Sequence, residues 1–315
     1  MTSLGVVFTK DWIVDFVLDV AGYTPERSLT SGCAIEPSCG DGAFLRRMVN
    51  RLCESASRTG GLSLAVLESC IRAYDLDPSS VEKSRRAVCD TLKEWGFTSE
   101  QSERLANVWV SEGDFLLSEV PEARWVVGNP PYIRAALIPR DQRELYVQRL
   151  TCCTMGSDLY VGFFEKGLRV LTDDGSLCFI CADRWLQNRY GSRLRAFVSS
   201  GYSLDVHVRM HGVDAFEDVV AAYPPAISLL RRGPGRAIRY VDCGNCFSQD
   251  DVLPVEAWLA RGERELILAN ASAGVLPPLS GAASIPLASP GRLRVLNDLA
   301  SRFPALEDAG VKLGI

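Results

Sequence analysis

The 315 residues include 47% hydrophobic and 23% charged side chains, ordinary globular usage that excludes a disordered, collagenous or coiled-coil chain. Apolar runs such as 177–182 fall far short of the roughly 18 residues a membrane helix needs. Lys10 and Asp11 break the first apolar stretch where a secretory signal would continue, so a cytoplasmic protein with no membrane partner is expected, built as one large α/β domain or two small ones.

The net charge of −5 conceals an asymmetry. Residues 1–128 hold 13 basic and 19 acidic groups, residues 129–240 hold 15 and 11, and residues 241–315 hold 6 and 9. Only the middle block is basic. Eleven cysteines in a chain without a secretory signal read as reduced thiols.

Apolar spacing predicts a helix over 6–21, a strand over 33–36 and a helix over 43–53. A further helix (62–70), a strand (71–76) and a helix (79–95) follow, then short strands at 108–110 and 125–127. Helix 159–171, strand 176–182, helix 189–199 and strand 203–209 continue the alternation. Residues 224–230 and 237–241 read as late antiparallel strands. This alternation implies a doubly wound, mostly parallel sheet. The pattern weakens after 241, and 277–290, rich in Gly, Pro, Ser and Ala, reads as a linker. Cys178 and Cys181 lie in an apolar strand, where alternation sends their sulfurs to opposite faces. Cys243 and Cys246, with His207 and His211, form a weak zinc candidate; ordinary buried thiols are the commoner outcome, and no metal is expected.

Ligands of such sheets bind beyond the carboxyl ends of the strands. Glu36-Pro-Ser-Cys-Gly-Asp-Gly42 turns from the first strand into a helix, with Gly40 and Gly42 allowing close backbone approach. The second strand ends in Asp75-Leu76, a carboxylate suited to ribose hydroxyls, while Asp77 before Pro78 reads as a helix cap. The third ends in Asp114-Phe115. Together these tips imply a nucleoside-containing cofactor. The fourth strand runs into Asn129-Pro-Pro-Tyr132. Its prolines stiffen the loop, so the Asn129 side-chain oxygen and a neighbouring carbonyl can accept both protons of one amine. Tyr132 can stack on an extruded base.

Asn129-Pro-Pro-Tyr132 after Glu36-Pro-Ser-Cys-Gly-Asp-Gly42 resembles the motifs of S-adenosylmethionine-dependent adenine-N6 DNA methyltransferases, in particular those of restriction–modification and phage-defence systems. Asp158-Leu-Tyr-Val-Gly-Phe-Phe164, residues 175–186, and Phe216 with the strand after it extend the resemblance over about 8–240. It implies a class I, Rossmann-like fold with a seven-stranded, mostly parallel sheet and late antiparallel strands. It further implies that Asn129, Pro130, Pro131 and Tyr132 form the catalytic loop. Thr9, Glu36, Pro37, Ser38, Cys39, Gly40, Gly42, Asp75, Leu76, Asp114, Phe115 and Asn129 would bind S-adenosylmethionine, leaving S-adenosylhomocysteine as product and requiring no metal. In the family a Thr-Pro pair heads the first helix; here Lys10 stands in place of that proline. Tyr132 and Phe216 would sandwich the flipped adenine, with Tyr223 as the alternative to Phe216.

The implied partner is double-stranded DNA. Arginines 134, 140, 143 and 149 after the catalytic loop, and 184, 189, 193 and 195 after the next strand, are candidates to hold its phosphates. The same catalytic loop occurs in protein glutamine N5-methyltransferases acting on translation release factors, the alternative reading; few residues before Pro37 and many after Tyr132 favour DNA. Residues 1–241 are expected to form the catalytic domain and 242–315 a connector toward a target-recognition domain missing or truncated here, with a strand starting near 310–315 and a restriction or defence partner.

Overall fold

In the computed structural model, which describes residues 9–58, 60, 63–217, 224–261, 266–288 and 290–303, helices cover both faces of a ten-stranded sheet. Its strands are β1 (Ala34–Glu36), β2 (Ile71–Asp75), β3 (Val110–Glu112), β4 (Ala123–Gly128), β5 (Leu171–Ala182), β6 (Tyr202–Arg209), β7 (Pro225–Arg232), β8 (Ile238–Cys243), β9 (Leu266–Ile267) and β10 (Ala271–Leu276). They lie in the order β3-β2-β1-β4-β5-β7-β6-β8-β10-β9. The first seven of these form the expected doubly wound sheet, parallel except for β7, which runs antiparallel between β5 and β6. β8 departs from expectation: it runs parallel to β6 and antiparallel only to β10.

The helices are α1 (Asp11–Ala21), α2 (Ala43–Arg58), α3 (Leu64–Leu67), α4 (Pro78–Glu94), α5 (Ser99–Trp109), α6 (Arg140–Arg149), α7 (Tyr160–Arg169), α8 (Ser192–Gly201), α9 (Val252–Arg261) and α10 (Pro290–Arg302). Ile13, Met48, Val88 and Leu105 of α1, α2, α4 and α5 share one buried cluster. Tyr146, Phe164 and Leu194 of α6, α7 and α8 share the other. Cys178 belongs to the first cluster and Cys181 to the second, as strand alternation requires. The central strand β4 is buried on both faces, the signature of a parallel strand between two helical layers.

Local signals set the element ends. Asp77 caps α4 by accepting from the N–H groups of Ser79 and Ser80, with Pro78 at the first helical position. Thr98 and Gln101 form a reciprocal capping box that starts α5. Gly22 takes φ +73° and closes α1.

The sheet continues past residue 241, where the sequence suggests the domain ends. β10 pairs with β8 from Ala271 to Leu276, and Val255 and Trp258 of α9 are buried in the same cluster as α1. Short elements carry little periodicity, so this addition to the sheet leaves a weak trace in the sequence. Residues 310–315 and Tyr223 lie outside the described residues. Among the described residues no helix is long and apolar enough to cross a membrane.

Candidate active site

Connections from β1 lead one way to β2 and β3, while β4 leads the other way to β5, so the chain reverses direction between β1 and β4. A crevice opens at the carboxyl ends of the strands at such a point. Glu36 ends β1 there, 1% exposed. A Cβ placed on Gly128, at the tip of β4 with φ +152°, would lie 3.5 Å from the Glu36 side chain, which puts Asn129 beside the acidic turn.

The turn from Pro37 to Gly42 is drawn onto β2. Cys39 N–H donates to the Tyr74 carbonyl at 2.9 Å, and Gly40 N–H donates to Asp75 Oδ2 at 2.9 Å. Asp75 Oδ1 accepts from Asp77 N–H at 2.9 Å. Gly40 (φ +54°) has nothing within 4 Å of where a Cβ would stand, whereas Gly42 (φ +92°) is pressed to 3.2 Å from the backbone of Ser84. Gly40 thus serves an open approach and Gly42 a tight packing of α2 on α4.

Glu36 carries an oxygen, Oε2, that is buried with no hydrogen-bond partner among the described residues. Burial, together with the charges of Asp75 and Asp41, pushes its carboxyl well above the usual range, against a hydrogen bond from the Leu45 N–H. A cation beside it would restore the charged form. Leu76 projects beyond Asp75, 56% exposed. At the next tip, Gly113 N–H bonds the Asp75 carbonyl, and Asp114 Oδ1 accepts from Leu116 N–H at 2.9 Å. Phe115 is buried between Tyr74 (5.9 Å) and a stacked Phe163 (5.7 Å). Half-buried carboxylates, an exposed aliphatic side chain and a positive-φ glycine in open space therefore line one crevice, a donor set that fits a cationic nucleoside cofactor.

Asn129 Nδ2 donates to Thr9 Oγ1 at 3.2 Å, which turns the amide oxygen away from Thr9. Thr9, expected at the cofactor, is 5% exposed and forms an antiparallel bridge with Phe216. Pro130 is buried, while Pro131 and Tyr132 are half-buried. The Tyr132 hydroxyl donates to the Ile180 carbonyl at 3.2 Å, tying the loop from Asn129 to Tyr132 to β5. Its ring meets Phe216 edge-on, centroids 6.2 Å apart at 72°. The expected site residues placed above thus lie along the carboxyl edge of β1, β2, β3 and β4 and at the bridge between Thr9 and Phe216.

Two features carry no sequence signal of their own. Tyr146, 4% exposed on α6, donates to Asp114 Oδ2 at 2.7 Å and accepts from Gln142 Nε2 at 2.6 Å. The polar helix around it shows no apolar stripe. Asp183, at the tip of β5, accepts from His211 Nε2 at 2.7 Å, with His207 Nε2 at 3.8 Å. Burial alone would raise the Asp183 carboxyl, but the nearby His207 imidazole and the hydrogen bond with His211 outweigh it and hold the group well below the usual carboxylate range. This bond fixes the start of the segment that returns from β6 to Phe216. His207 bonds Ser228, Cys243 is buried and Cys246 exposed. Among the described residues no group of three or more metal-binding side chains converges.

Residues 69–216 match the family model of the Eco57I restriction-modification methylase. The chain is similar to the Type II methyltransferase M.PaeR7I of Pseudomonas aeruginosa, 36% identical over 323 residues that cover 100% of this chain and 55% of that protein. The chain spans about half the length of the curated relatives it matches. Its fold resembles that of the M protein of the type I restriction enzyme EcoKI, with a TM-score of 0.64 at 13% identity over 97% of this chain and 73% of that one. It also resembles a protein from Listeria monocytogenes described as a class I S-adenosylmethionine-dependent methyltransferase, with a TM-score of 0.57 at 15% identity over 80% of this chain and 70% of that one. Residues 69–216 are thus similar to the Eco57I restriction-modification methylases.

Proposed function

We propose that this chain is the catalytic part of a site-specific DNA methyltransferase of a restriction–modification system, acting on the N6 amine of an adenine turned out of the duplex. The observation that carries the reading is the position of Asn129: one strand from Glu36, held by Thr9, and first in a loop whose Tyr132 faces Phe216.

S-adenosylmethionine, when bound, supplies a methyl group on a positively charged sulfur. Glu36 and the turn to Gly42 would hold its methionine end, Asp75 the ribose hydroxyls, and Asp114 with Leu76 and Phe115 the adenine. The Asn129 oxygen and the Pro130 carbonyl would accept the two protons of the target amine, which directs the nitrogen lone pair at the methyl carbon. Charge that builds on the nitrogen in transfer is met by these two fixed acceptors, with no reorganisation of solvent. The surplus proton then leaves to water. Tyr132 and Phe216 would exclude water and hold the base by stacking. Acidic side chains at the cofactor end and arginines after β4 and β5 divide the edge of the sheet into a cation-binding and a polyanion-binding half.

Transfer of a tritiated methyl group to duplex DNA, RNA and a release factor, with the product nucleoside identified by mass spectrometry, tests this. The expected outcome is N6-methyladenine in duplex DNA, abolished by Asn129→Ala. Label found only in protein would replace this reading with glutamine methylation, and label surviving Asn129→Ala would remove the assigned catalytic loop.

A further inference from the structure

The turn after β5 and the N-terminus of α8 enclose a cavity of about 710 Å³ lined by Thr154, Asn188, Arg189, Tyr190, Ser192 and Arg193. It opens at the carboxyl end of the sheet: Arg189 follows the tip of β5, and Leu159, in the segment after Thr154, bonds through its N–H to the carbonyl of Ile133, the residue after the Asn129–Tyr132 loop. Arg189 and Arg193 are both exposed. Among the described residues neither guanidinium has a carboxylate within 4.0 Å, whereas Arg46, Arg51, Arg104, Arg169, Arg209 and Arg231 are each paired. The nearby Asp158 is bonded by Tyr190 and faces Arg134 and Arg184.

The walls of this cavity are held from behind. Arg195, 3% exposed, donates through Nη1 to the carbonyls of Trp185 and Asn188 and through Nε to Ala282. Arg195 is therefore a brace for the turn and not one of the phosphate-holding arginines suggested by the sequence. Gly191 allows the turn to close, since a Cβ there would stand 2.0 Å from the Trp185 carbonyl. Two exposed guanidiniums without a carboxylate partner that line one cavity, at a braced turn and the N-terminus of a ten-residue helix, suit the charge and acceptor oxygens of a phosphate.

We infer that Arg189 and Arg193 form a phosphodiester subsite, which grips the backbone of the DNA strand next to the extruded base. The inference rests on the reading of DNA as the substrate and adds where the strand is held. Its position beside the catalytic loop gives the subsite a role in register: backbone contacts fix where the duplex lies, while the base itself is read elsewhere.

Binding of a fluorescent duplex, followed by anisotropy across a range of NaCl concentrations, tests it in the wild-type chain and in the double variant Arg189→Gln, Arg193→Gln. Two lost phosphate contacts should make the slope of log Kd against log salt shallower by about two and weaken binding at low salt roughly tenfold or more. Arg86→Gln, on the remote helix α4, should leave both unchanged, and S-adenosylhomocysteine should bind all three proteins alike by calorimetry. An unchanged slope in the double variant, with wild-type duplex binding intact, would overturn the subsite and leave the functional reading standing. Inorganic phosphate that binds the wild type but not the double variant, without any difference in duplex binding, would make this a small-anion site and also overturn it. Failure of the wild type to bind any duplex while it still binds S-adenosylhomocysteine would remove the DNA reading and the subsite with it.

Discussion

The Tyr146 hydroxyl donates to Asp114 Oδ2 at 2.7 Å while Leu116 N–H holds the other oxygen. The carboxylate proposed for the cofactor's adenine amine is thus oriented by α6, the helix that follows the Asn129–Tyr132 loop. Asp114 Oδ2 has a second lone pair for that amine. Tyr146→Phe should therefore raise the Kd for S-adenosylhomocysteine about fivefold, the effect of one hydrogen bond of about 1 kcal/mol. kcat at saturating cofactor should change little. An analogue with the adenine amine replaced by a carbonyl should bind the wild type more weakly, and Tyr146→Phe should narrow that difference. Equal discrimination by both proteins would show that Tyr146 only packs.

How well such features can be read from the sequence depends on whether their signal is local. Asn129 to Tyr132, the glycine turn and Asp75 are legible because each is a short motif at a strand tip, and strand tips follow from apolar runs. Cys178 and Cys181 could be sent to opposite layers by alternation alone. α6 could not be seen, since its ten residues bury only Tyr146. α5 was hidden by its nearness to β3, one element running directly into the next. The Asp183–His211 bond joins residues 28 apart, and no pattern of single residues encodes such a contact. The continuation of the sheet through β10 was masked because Gly and Pro beyond it read as a linker.

Thr9 bears on Asn129 and not on the methyl donor alone. Loss of the Thr9 acceptor should let the Asn129 amide rotate, so that its nitrogen competes with its oxygen for the position facing the target amine. Thr9→Val should lower kcat about tenfold while Thr9→Ser retains most activity, and the Kd for S-adenosylhomocysteine should move by less than about threefold. Asn129→Ala should reduce kcat by roughly a hundredfold or more with the same spared binding. A Thr9→Val variant that loses cofactor affinity and keeps kcat would return Thr9 to the cofactor.

Phe216 and Tyr132 meet edge-on with centroids 6.2 Å apart. A base stacked between two rings needs about 7–8 Å of separation, two layers at van der Waals distance, and parallel faces. One ring must therefore turn, and Phe216 is the candidate because the Tyr132 hydroxyl is fixed to β5. With 2-aminopurine at the target position, the wild type should raise fluorescence on extrusion and quench it partly by stacking. Phe216→Ala should weaken the held state by about 1–3 kcal/mol, the stacking of one face, and leave a brighter, less quenched base. Identical emission from both proteins would exclude Phe216 from the base site.

A pH dependence of stability follows from Glu256 on α9, which faces Asp19 of α1. Burial, the charge of Asp19 and a hydrogen bond with it raise the Glu256 carboxyl to about 7, against a lowering effect of Arg51. Arg51 is itself engaged by Asp15 and Asp19. A carboxyl whose folded value is raised binds its proton more tightly in the folded state, so its contribution is fully present below the unfolded value, about 4.3, and is lost as pH rises through 7. Glu256 is half-exposed to screening, which limits the effect to the order of 1 kcal/mol. Thermal unfolding should therefore show a fall in Tm as pH rises from about 4.5 to about 7 that Glu256→Gln reduces, because the amide keeps a donor toward Asp19 at every pH. Asp19→Asn should reduce the same fall by removing the repelling charge. A Tm profile with the same slope in the wild type and both variants would mean that α9 is held to α1 by Val255 and Trp258 alone.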